Sequence, residues 1–185
     1  MATTSPLSGV LLLCVDLQPA FLKVMHEGDS VQKRCAFAIE TAVGLGMQVV
    51  FTEQLPRKLG GTAPELLALA PGADVHAKNS FSVFADDGIT ESLRSLDLEH
   101  IILCGIETPV CIYQTALGAL DENLHVTVLT DAIGARRPSD AAVCLGALAR
   151  AGIHLLPSET VFYSLLHDAG HPFFKGYTQL VKKYS

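Results

Sequence analysis

Residues 100–122 read HIILCGIETPVCIYQTALGALDE, and this stretch indicates how the whole chain folds. The apolar run His100–Ile106 predicts a strand, and the residues from about Pro109 to Glu122 predict a helix directly after it. Thr108 is a suitable N-cap for that helix, and Pro109 suits its first position. A strand that leads into a helix through a short turn is the repeating unit of an α/β domain.

The same alternation of strands and helices runs along all 185 residues. Further strands are predicted at Val10–Val15, Met47–Thr52, Ala73–Ala77, His125–Thr130 and Ile153–Leu156. Further helices are predicted at Ser30–Leu45, at residues 63–70, and at Thr90–Leu96, Pro138–Ala151, Ser158–Leu166 and Pro172–Lys183. We therefore expect one domain over residues 1–185, a three-layer, doubly wound, mainly parallel α/β sheet of six strands in the order 3-2-1-4-5-6.

Capping signals mark the start of two of these helices. Ser30 is a candidate N-cap for the first long helix, which Gly46 would end. Thr62 and Glu65 have the spacing of a capping box, with Pro64 in the first turn. Both signals depend only on neighbouring residues in the sequence and not on the tertiary contacts of the helix.

The composition argues against several classes of function. The net charge is −6 and the 13 Lys and Arg residues are scattered, so nucleic acid is not expected as a partner. Five cysteines without a CxxC pair, four of them in apolar runs, predict reduced thiols. The N-terminus lacks the pattern of a signal peptide, and the apolar run at residues 9–15 is too short to span a bilayer. A cytoplasmic protein without membrane association is expected.

Polar residues follow the predicted strands at their carboxyl ends. These residues are Asp16, Glu53-Gln54, Glu107-Thr108 and Asp131, whereas His100, His125 and His154 stand at strand entrances. Ligands of doubly wound sheets bind beyond the carboxyl ends, where the strand order reverses. Strands 1 and 4 flank that point, so Asp16 is expected near the segment that contains Cys111. The alternative is structural, because polar residues end strands in any protein.

Cys111 falls in the first turn of the predicted helix, at its third position. Unpaired N–H groups and the helix dipole favour an anion there, so the thiol pKa is expected to fall from roughly 8.5 toward neutrality. The same amides are suited to binding an oxyanion. The alternative is that Cys111 is a small core residue. Lys78 has no such signal, because nothing in the periodicity selects it and a loop lysine is usually solvated.

Motifs for cofactors and metals are absent from the sequence. It contains no GxGxxG, P-loop, GxSxG or HExxH pattern, and Phe51-Thr-Glu-Gln54 at the exit of strand 2 contains no Asp-x-His pair. We expect neither a bound cofactor nor a metal.

Three segments, taken in order, resemble the isochorismatase-like cysteine hydrolase superfamily. They are Val15-Asp-Leu-Gln18 with Phe21, Lys78-Asn-Ser-Phe81, and Cys104-Gly-Ile-Glu-Thr-Pro-Val-Cys111. Within the superfamily, the chain looks most like the small isochorismatase-domain-containing proteins, on Thr52-Glu-Gln54, Leu59-Gly60, His171-Pro172 and Phe174-Lys175. Members of that subgroup generally lack an assigned substrate.

The resemblance implies roles for these residues. Cys111 would be the nucleophile, Asp16 the general base and later the acid, and Lys78 the cation that holds both. A cis peptide bond between Ile106 and Glu107 would direct the amides of Glu107 and Cys111 to one point as the oxyanion hole. Phe21, Glu53, Phe81 and Thr108 are expected to line the substrate pocket, with Phe84 as a further apolar candidate. The family usually forms homo-oligomers, so a dimer or larger assembly is expected.

The resemblance also narrows the reaction. Relatives that hydrolyse nicotinamide have metal-binding His residues that this sequence lacks, and relatives that cleave isochorismate have lost the cysteine that it keeps. What remains is hydrolysis of a small amide, carbamoyl or ester substrate through a thioester on Cys111. The alternative is a non-enzymatic protein of the same fold, with Cys111 as a redox-sensing thiol.

Overall fold

The structure is a computed structural model that describes residues 7–185. Residues 1–6 lie outside the described part. They belong to the N-terminal segment in which no signal peptide was predicted. Across residues 7–185, none of the helices combines the length and the apolar character that crossing a membrane requires.

Within residues 7–185, six parallel strands form one sheet in the predicted order β3-β2-β1-β4-β5-β6. The strands are β1 (Val10–Val15), β2 (Gln48–Gln54), β3 (Asp74–Lys78), β4 (His100–Ile106), β5 (His125–Gly134) and β6 (His154–Leu156). Strands β1 and β4 are neighbours at the point where the order reverses. Their carboxyl ends therefore flank the crevice in which this fold class binds ligands.

Helices cover both faces of the sheet. One face packs against α2 (Gly28–Gly44), α4 (Pro64–Leu67), α8 (Ser158–Leu166) and α9 (Phe174–Tyr184). The other packs against α5 (Asp87–Arg94), α6 (Tyr113–Asp121) and α7 (Pro138–Arg150). The short helices α1 (Pro19–Leu22) and α3 (Pro56–Leu59) follow the exits of β1 and β2, where none was predicted.

Strand β1 shows why the central strands are continuously apolar. Leu12 and Cys14 belong to the core on the α2 face, while Leu11 and Leu13 belong to the core on the α6 face. Successive side chains of a strand point to opposite faces, so a strand covered on both sides has no position left for a polar residue. This is the physical reason why the bounds of β1 and β4 agree with the sequence prediction.

Strands β2 and β3 run further than predicted, and both extensions bring polar side chains into the sheet. Strand β2 continues past Thr52 to Gln54, and β3 continues past Ala77 to Lys78. Gln54 and Lys78 are direct partners in the parallel β2–β3 ladder. Lys78 is therefore the last residue of a strand, which corrects its assignment to a loop.

Strand β5 also extends beyond its predicted end at Thr130, to Gly134. Its register against β4 shifts between Leu103 and Gly105, so several β5 residues are accommodated in an irregularity of the ladder. Beyond the shift the two strands pair again, up to Ile106.

The first long helix begins before the predicted cap. Helix α2 starts at Gly28, and the residue before it, Glu27, has a left-handed backbone with φ of 52°. A side chain at position 28 would collide with the carbonyl oxygen of Leu22, so glycine fits this close approach. Ser30 therefore lies inside the first turn and does not cap the helix.

The predicted helix over residues 63–70 is reduced to the short helix α4, and its capping box does not form. Thr62 donates its N–H and its hydroxyl to Glu53, at 2.7 and 2.9 Å. Glu65 instead accepts a hydrogen bond from Gln32 at 2.6 Å. Both members of the expected box are engaged by residues distant in sequence, which local spacing does not reveal.

Candidate active site

Asp16, Lys78 and Cys111 meet at the carboxyl end of the sheet. The Lys78 Nζ lies 2.7 Å from Asp16 Oδ2 and 3.7 Å from Cys111 Sγ. The three residues are 1%, 2% and 7% exposed, so the ion pair and the thiol are shielded from water. The structure thus brings together the three predicted site residues, which come from the ends of β1 and β3 and from the turn after β4.

Asp16 is fixed from two sides. Its backbone is left-handed, with φ of 52°, an uncommon conformation for a residue other than glycine. Its N–H donates to the Thr52 carbonyl at 3.1 Å, and the Thr52 hydroxyl donates to Oδ1 at 2.9 Å. Since Lys78 occupies Oδ2, both carboxylate oxygens have partners and the side chain has a defined orientation.

Lys78 depends on Gln54, a residue whose role the sequence analysis did not identify. Gln54 Oε1 accepts from Lys78 Nζ at 2.7 Å, and the Ser80 carbonyl oxygen lies 3.2 Å from the same nitrogen. The Gln54 side-chain amide donates to the Asn79 carbonyl at 2.9 Å, which keeps its oxygen toward the ammonium. The available signal was the two-residue spacing of Thr52 and Gln54, which puts both on one face of β2.

Cys111 lies in a π-helical turn, Thr108–Ile112, that precedes α6. Glu107 holds the N-cap position of this segment, so Thr108 is not the cap and Cys111 is not the third helical residue. The Thr108 hydroxyl donates to the Gly134 carbonyl at 2.9 Å instead. The cysteine is still close to a helix start, although in a wider turn than predicted.

The Cys111 pKa shifts in the direction opposite to the prediction. Burial, followed by the negative charge of Asp16, raises the Cys111 pKa to about 12. The Lys78 ammonium and the Glu107 backbone N–H act in the lowering direction but are outweighed. The expected fall toward neutrality is therefore wrong, because desolvation of a thiolate exceeds the local effect of the helix start.

The backbone before Cys111 has the predicted cis peptide bond between Ile106 and Glu107. The Glu107 backbone N–H lies close enough to the Cys111 sulfur to act on its pKa in the lowering direction. Gly105 has φ of 118°, and a side chain there would collide with the carbonyl oxygen of Val15. Glycine thus allows β4 to press against β1 immediately before Asp16.

A cavity of about 350 Å³ opens beside this cluster. Its lining residues are Asp16, Phe21, Val24, Met25, Gln54, Phe81, Ile106, Glu107, Val110, Cys111 and Arg136. Phe21 and Phe81 are therefore placed as the sequence analysis expected, and both are aromatic walls of the cavity.

The structure places Glu53 and Thr108 outside this cavity, which corrects their expected place in the substrate pocket. The Glu53 carboxylate is engaged by Thr62, and the Thr108 hydroxyl by the Gly134 carbonyl. Phe84 does not line the cavity either, because it packs against the core on the α6 face. Each of these side chains is hydrogen-bonded or packed against residues that are not its neighbours in the sequence.

Asp131 does not join the acidic residues of the site. It lies within β5, and its carboxylate accepts from the Ser158 N–H at 2.7 Å and from Arg34 Nε at 2.9 Å. It anchors α8 and α2, a structural role.

At the opposite rim of the sheet, burial lowers the pKa of His100, and His125 and His154 lower it further. Within residues 7–185, no cluster of three or more His, Cys, Asp or Glu side chains is arranged to hold a metal.

Comparisons with known proteins agree with the sequence resemblance. The family model described as "Isochorismatase domain" matches residues 10–160. "Isochorismatase domain-containing protein 2" of Xenopus laevis is 39% identical over 178 residues, which cover 94% of this chain and 83% of the relative.

Solved structures share the fold. One described as MAR1 ribonuclease from Caenorhabditis elegans has a TM-score of 0.89 and 28% identity, covering 95% of this chain and 91% of that one. The YcaC protein of Escherichia coli, described as an octameric hydrolase of unknown specificity, has a TM-score of 0.83 and 22% identity, covering 96% of this chain and 94% of that one.

Proposed function

The chain belongs to the isochorismatase family and has its hydrolase fold, and from this premise we propose that it is a cysteine hydrolase of a small amide, carbamoyl or ester substrate. One observation carries the proposal: a single ammonium, Lys78, contacts both the carboxylate of Asp16 and the sulfur of Cys111 beside a cavity. A nucleophile, a base within reach of it and a group that orients the base are the parts that covalent catalysis requires.

The raised pKa of Cys111 sets the order of events in the proposed reaction. Because the resting thiol is protonated, Asp16 accepts its proton as the sulfur attacks the carbonyl carbon. The carbonyl oxygen becomes an oxyanion that the Glu107 and Cys111 N–H groups bind. Asp16 then gives the proton to the leaving amine or alcohol as its bond to carbon breaks, and a thioester on Cys111 remains.

Hydrolysis of the thioester repeats these steps with water. Asp16 removes a proton from water, the hydroxide attacks the thioester carbonyl, and the carbon–sulfur bond breaks. The sulfur takes back a proton from Asp16, so the products are the original thiol and a carboxylic acid, or a carbamic acid when the substrate is a carbamoyl compound. Lys78 stays between the carboxylate and the sulfur and stabilises whichever of them is negative.

Mass spectrometry of the intact protein tests this proposal. With p-nitrophenyl acetate, the wild type should gain one acetyl group and release p-nitrophenol, while Cys111→Ala should do neither. Cys144→Ala is the matched control, since Cys144 is a half-buried thiol on α7 outside the cavity, and it should behave as the wild type. Equal labelling and turnover in Cys111→Ala would contradict the proposal.

The redox-sensing alternative is less well supported. Sensor thiols react as thiolates, so they combine a low pKa with exposure to solvent. Cys111 has a raised pKa and is 7% exposed. These properties favour a nucleophile that loses its proton to Asp16 only as it attacks the substrate.

The charges of this chain argue against RNA as its substrate, although the similar structure from Caenorhabditis elegans is described as a ribonuclease. RNA binding depends on clustered Lys and Arg that neutralise phosphates. This chain has a net charge of −6, and Arg136, the guanidinium that lines the cavity, is paired with Glu107 at 3.0 Å. A small molecule is the proposed substrate class.

We also propose a reducing, cytoplasmic setting for the protein. Its five cysteines are free thiols, which supports a reducing, cytoplasmic environment. A homo-oligomer, a dimer or larger, is proposed as well, and the octameric description of the Escherichia coli relative is consistent with it.

A further inference from the structure

We propose that the acyl group accepted by this site is uncharged and apolar, a short aliphatic or small aromatic chain, and not one that ends in a carboxylate. This inference rests on the proposed function and specifies the substrate class for the same site. Two independent features of the cavity lead to it: the chemistry of its walls and the pairing of its charges.

Most of the lining residues other than Asp16 and Cys111 are apolar, and they are Phe21, Val24, Met25, Phe81, Ile106 and Val110. Ile106 and Met25, at 1% and 8% exposure, form buried parts of the lining. Phe81 and Val24 also line the cavity, yet they are 54% and 51% exposed. Large apolar side chains left open to water beside a cavity are typical of a ligand site, because a ligand covers them when it binds.

Arg136, the cation of the cavity lining, and the neighbouring Lys78 are already paired with carboxylates. Lys78 is bound by Asp16 at 2.7 Å and by the Gln54 oxygen at 2.7 Å. Arg136 donates from its Nε to Glu107 Oε2 at 3.0 Å, and its backbone N–H donates to Oε1 at 3.2 Å. Recognition of a carboxylate normally uses an arginine free to form two parallel hydrogen bonds. Arg136 and Lys78 each have a carboxylate partner, so a second anion would have to compete with that partner.

The size of the cavity limits the acyl chain. A volume of about 350 Å³ lies near the lower end of the range for small-molecule sites, roughly 300–1,000 Å³. Each methylene that moves from water onto apolar walls should raise kcat/KM about fourfold, which corresponds to about 0.8 kcal/mol. The gain should stop once the chain fills the available space.

A series of p-nitrophenyl esters with acetyl, butyryl and hexanoyl groups tests the inference, with the mono-p-nitrophenyl ester of adipic acid as a partner for hexanoyl. We expect kcat/KM to rise with chain length and to be at least about tenfold lower for the adipic ester, whose carboxylate must leave water. A flat or falling series, or a preference for the adipic ester that Arg136→Gln removes, would overturn the inference.

Variants localise the effect. Val24→Asp places a carboxylate on the cavity wall and should flatten the increase in kcat/KM with chain length. Val43→Asp is the matched control, because Val43 is 42% exposed on α2 and does not line the cavity, and it should retain the increase. Hydrolysis that depends on Cys111 but lacks the chain-length increase refutes only the substrate class. Absence of any Cys111-dependent hydrolysis refutes the proposed function itself.

Discussion

At the scale of single residues, the protonation state of Cys111 distinguishes this site from a preformed thiolate. Its pKa is raised to about 12 by burial and by Asp16, so the thiolate fraction should still be rising at pH 10. An unperturbed thiol with a pKa of about 8.5 would approach its plateau by then. We expect the rate of Cys111 alkylation by iodoacetamide to rise about tenfold per pH unit from pH 7 to pH 10.

The variant Asp16→Asn checks the cause of this shift. Removing the carboxylate removes a charge that raises the thiol pKa, so alkylation at neutral pH should become faster than in the wild type. Peptide mapping after alkylation separates Cys111 from the other cysteines, and Cys111→Ser supplies the background. A wild-type profile that levels off below pH 9 would show that the thiol is not held protonated.

Gln54 carries the second prediction at this scale. Its side-chain oxygen is one of the acceptors that satisfy the buried Lys78 ammonium, at 2.7 Å. Gln54→Leu should lower the free energy of unfolding by roughly 1–3 kcal/mol, because a buried donor loses its partner. It should also lower kcat/KM for p-nitrophenyl acetate.

The matched control for Gln54 lies on the same strand. Gln48 is exposed at the start of β2, so Gln48→Leu should change neither quantity appreciably. Gln54→Glu keeps an acceptor oxygen and should recover more activity than Gln54→Leu. Urea unfolding and ester hydrolysis measure the two effects, and wild-type stability of Gln54→Leu would remove Gln54 from the positioning network.

Of the cluster formed by Asp16, Lys78 and Cys111, the sequence patterns predicted only the placement of Asp16 and Cys111. Asp16 and Cys111 follow central strands whose apolar runs are unmistakable, so topology alone places them together. Lys78 was identified only through the family resemblance, because its burial depends on pairing with Gln54 on a neighbouring strand. The predicted shift of the Cys111 pKa had the wrong direction, because burial and the Asp16 charge depend on the tertiary structure.

At the scale of elements, Gly105 controls how β4 meets β1. Gly105→Ala should lower the free energy of unfolding by more than the roughly 1–3 kcal/mol that an unfavourable backbone conformation costs, because the added carbon also meets the Val15 carbonyl. It should reduce ester hydrolysis too, since the displacement occurs next to Asp16. Gly146→Ala on α7 is the control, because a side chain there would make only an ordinary contact with Arg150. It should raise the free energy of unfolding by about 0.5–1 kcal/mol. Equal stability of Gly105→Ala and wild type would contradict this account.

Element ends show where local sequence signals stop being sufficient. Strands β1 and β4 and helix α8 have the predicted bounds, because their apolar patterns end abruptly. Ser30 and the Thr62–Glu65 pair have suitable residue types for caps, yet α2 begins where Gly28 meets Leu22, and Thr62 binds Glu53. A local signal predicts a helix end only when no distant residue competes for the same groups.

At the scale of the whole molecule, the order of strands followed from general rules. Alternating strands and helices permit few topologies, and right-handed crossovers with the reversal beside β1 give the observed order. No comparable rule predicts the irregularity in the β4–β5 ladder. Because of this irregularity, β5 extends to Gly134 and Asp131 lies within the strand, away from the predicted cluster. Topology thus identified the rim of the site, while the irregularity decided which acids reach it.

The last prediction concerns assembly. Val143 on α7 is 72% exposed and Leu156 on the edge strand β6 is 37% exposed, and exposed apolar side chains of this kind are often covered by a second subunit. We expect sedimentation equilibrium at micromolar concentration to give at least about twice the 19.7 kDa chain mass. Dilution should lower that mass only at concentrations far below those used in activity assays. A mass of one chain at concentrations that show full Cys111-dependent hydrolysis would mean that the site works within a single subunit and that the exposed apolar residues have another cause.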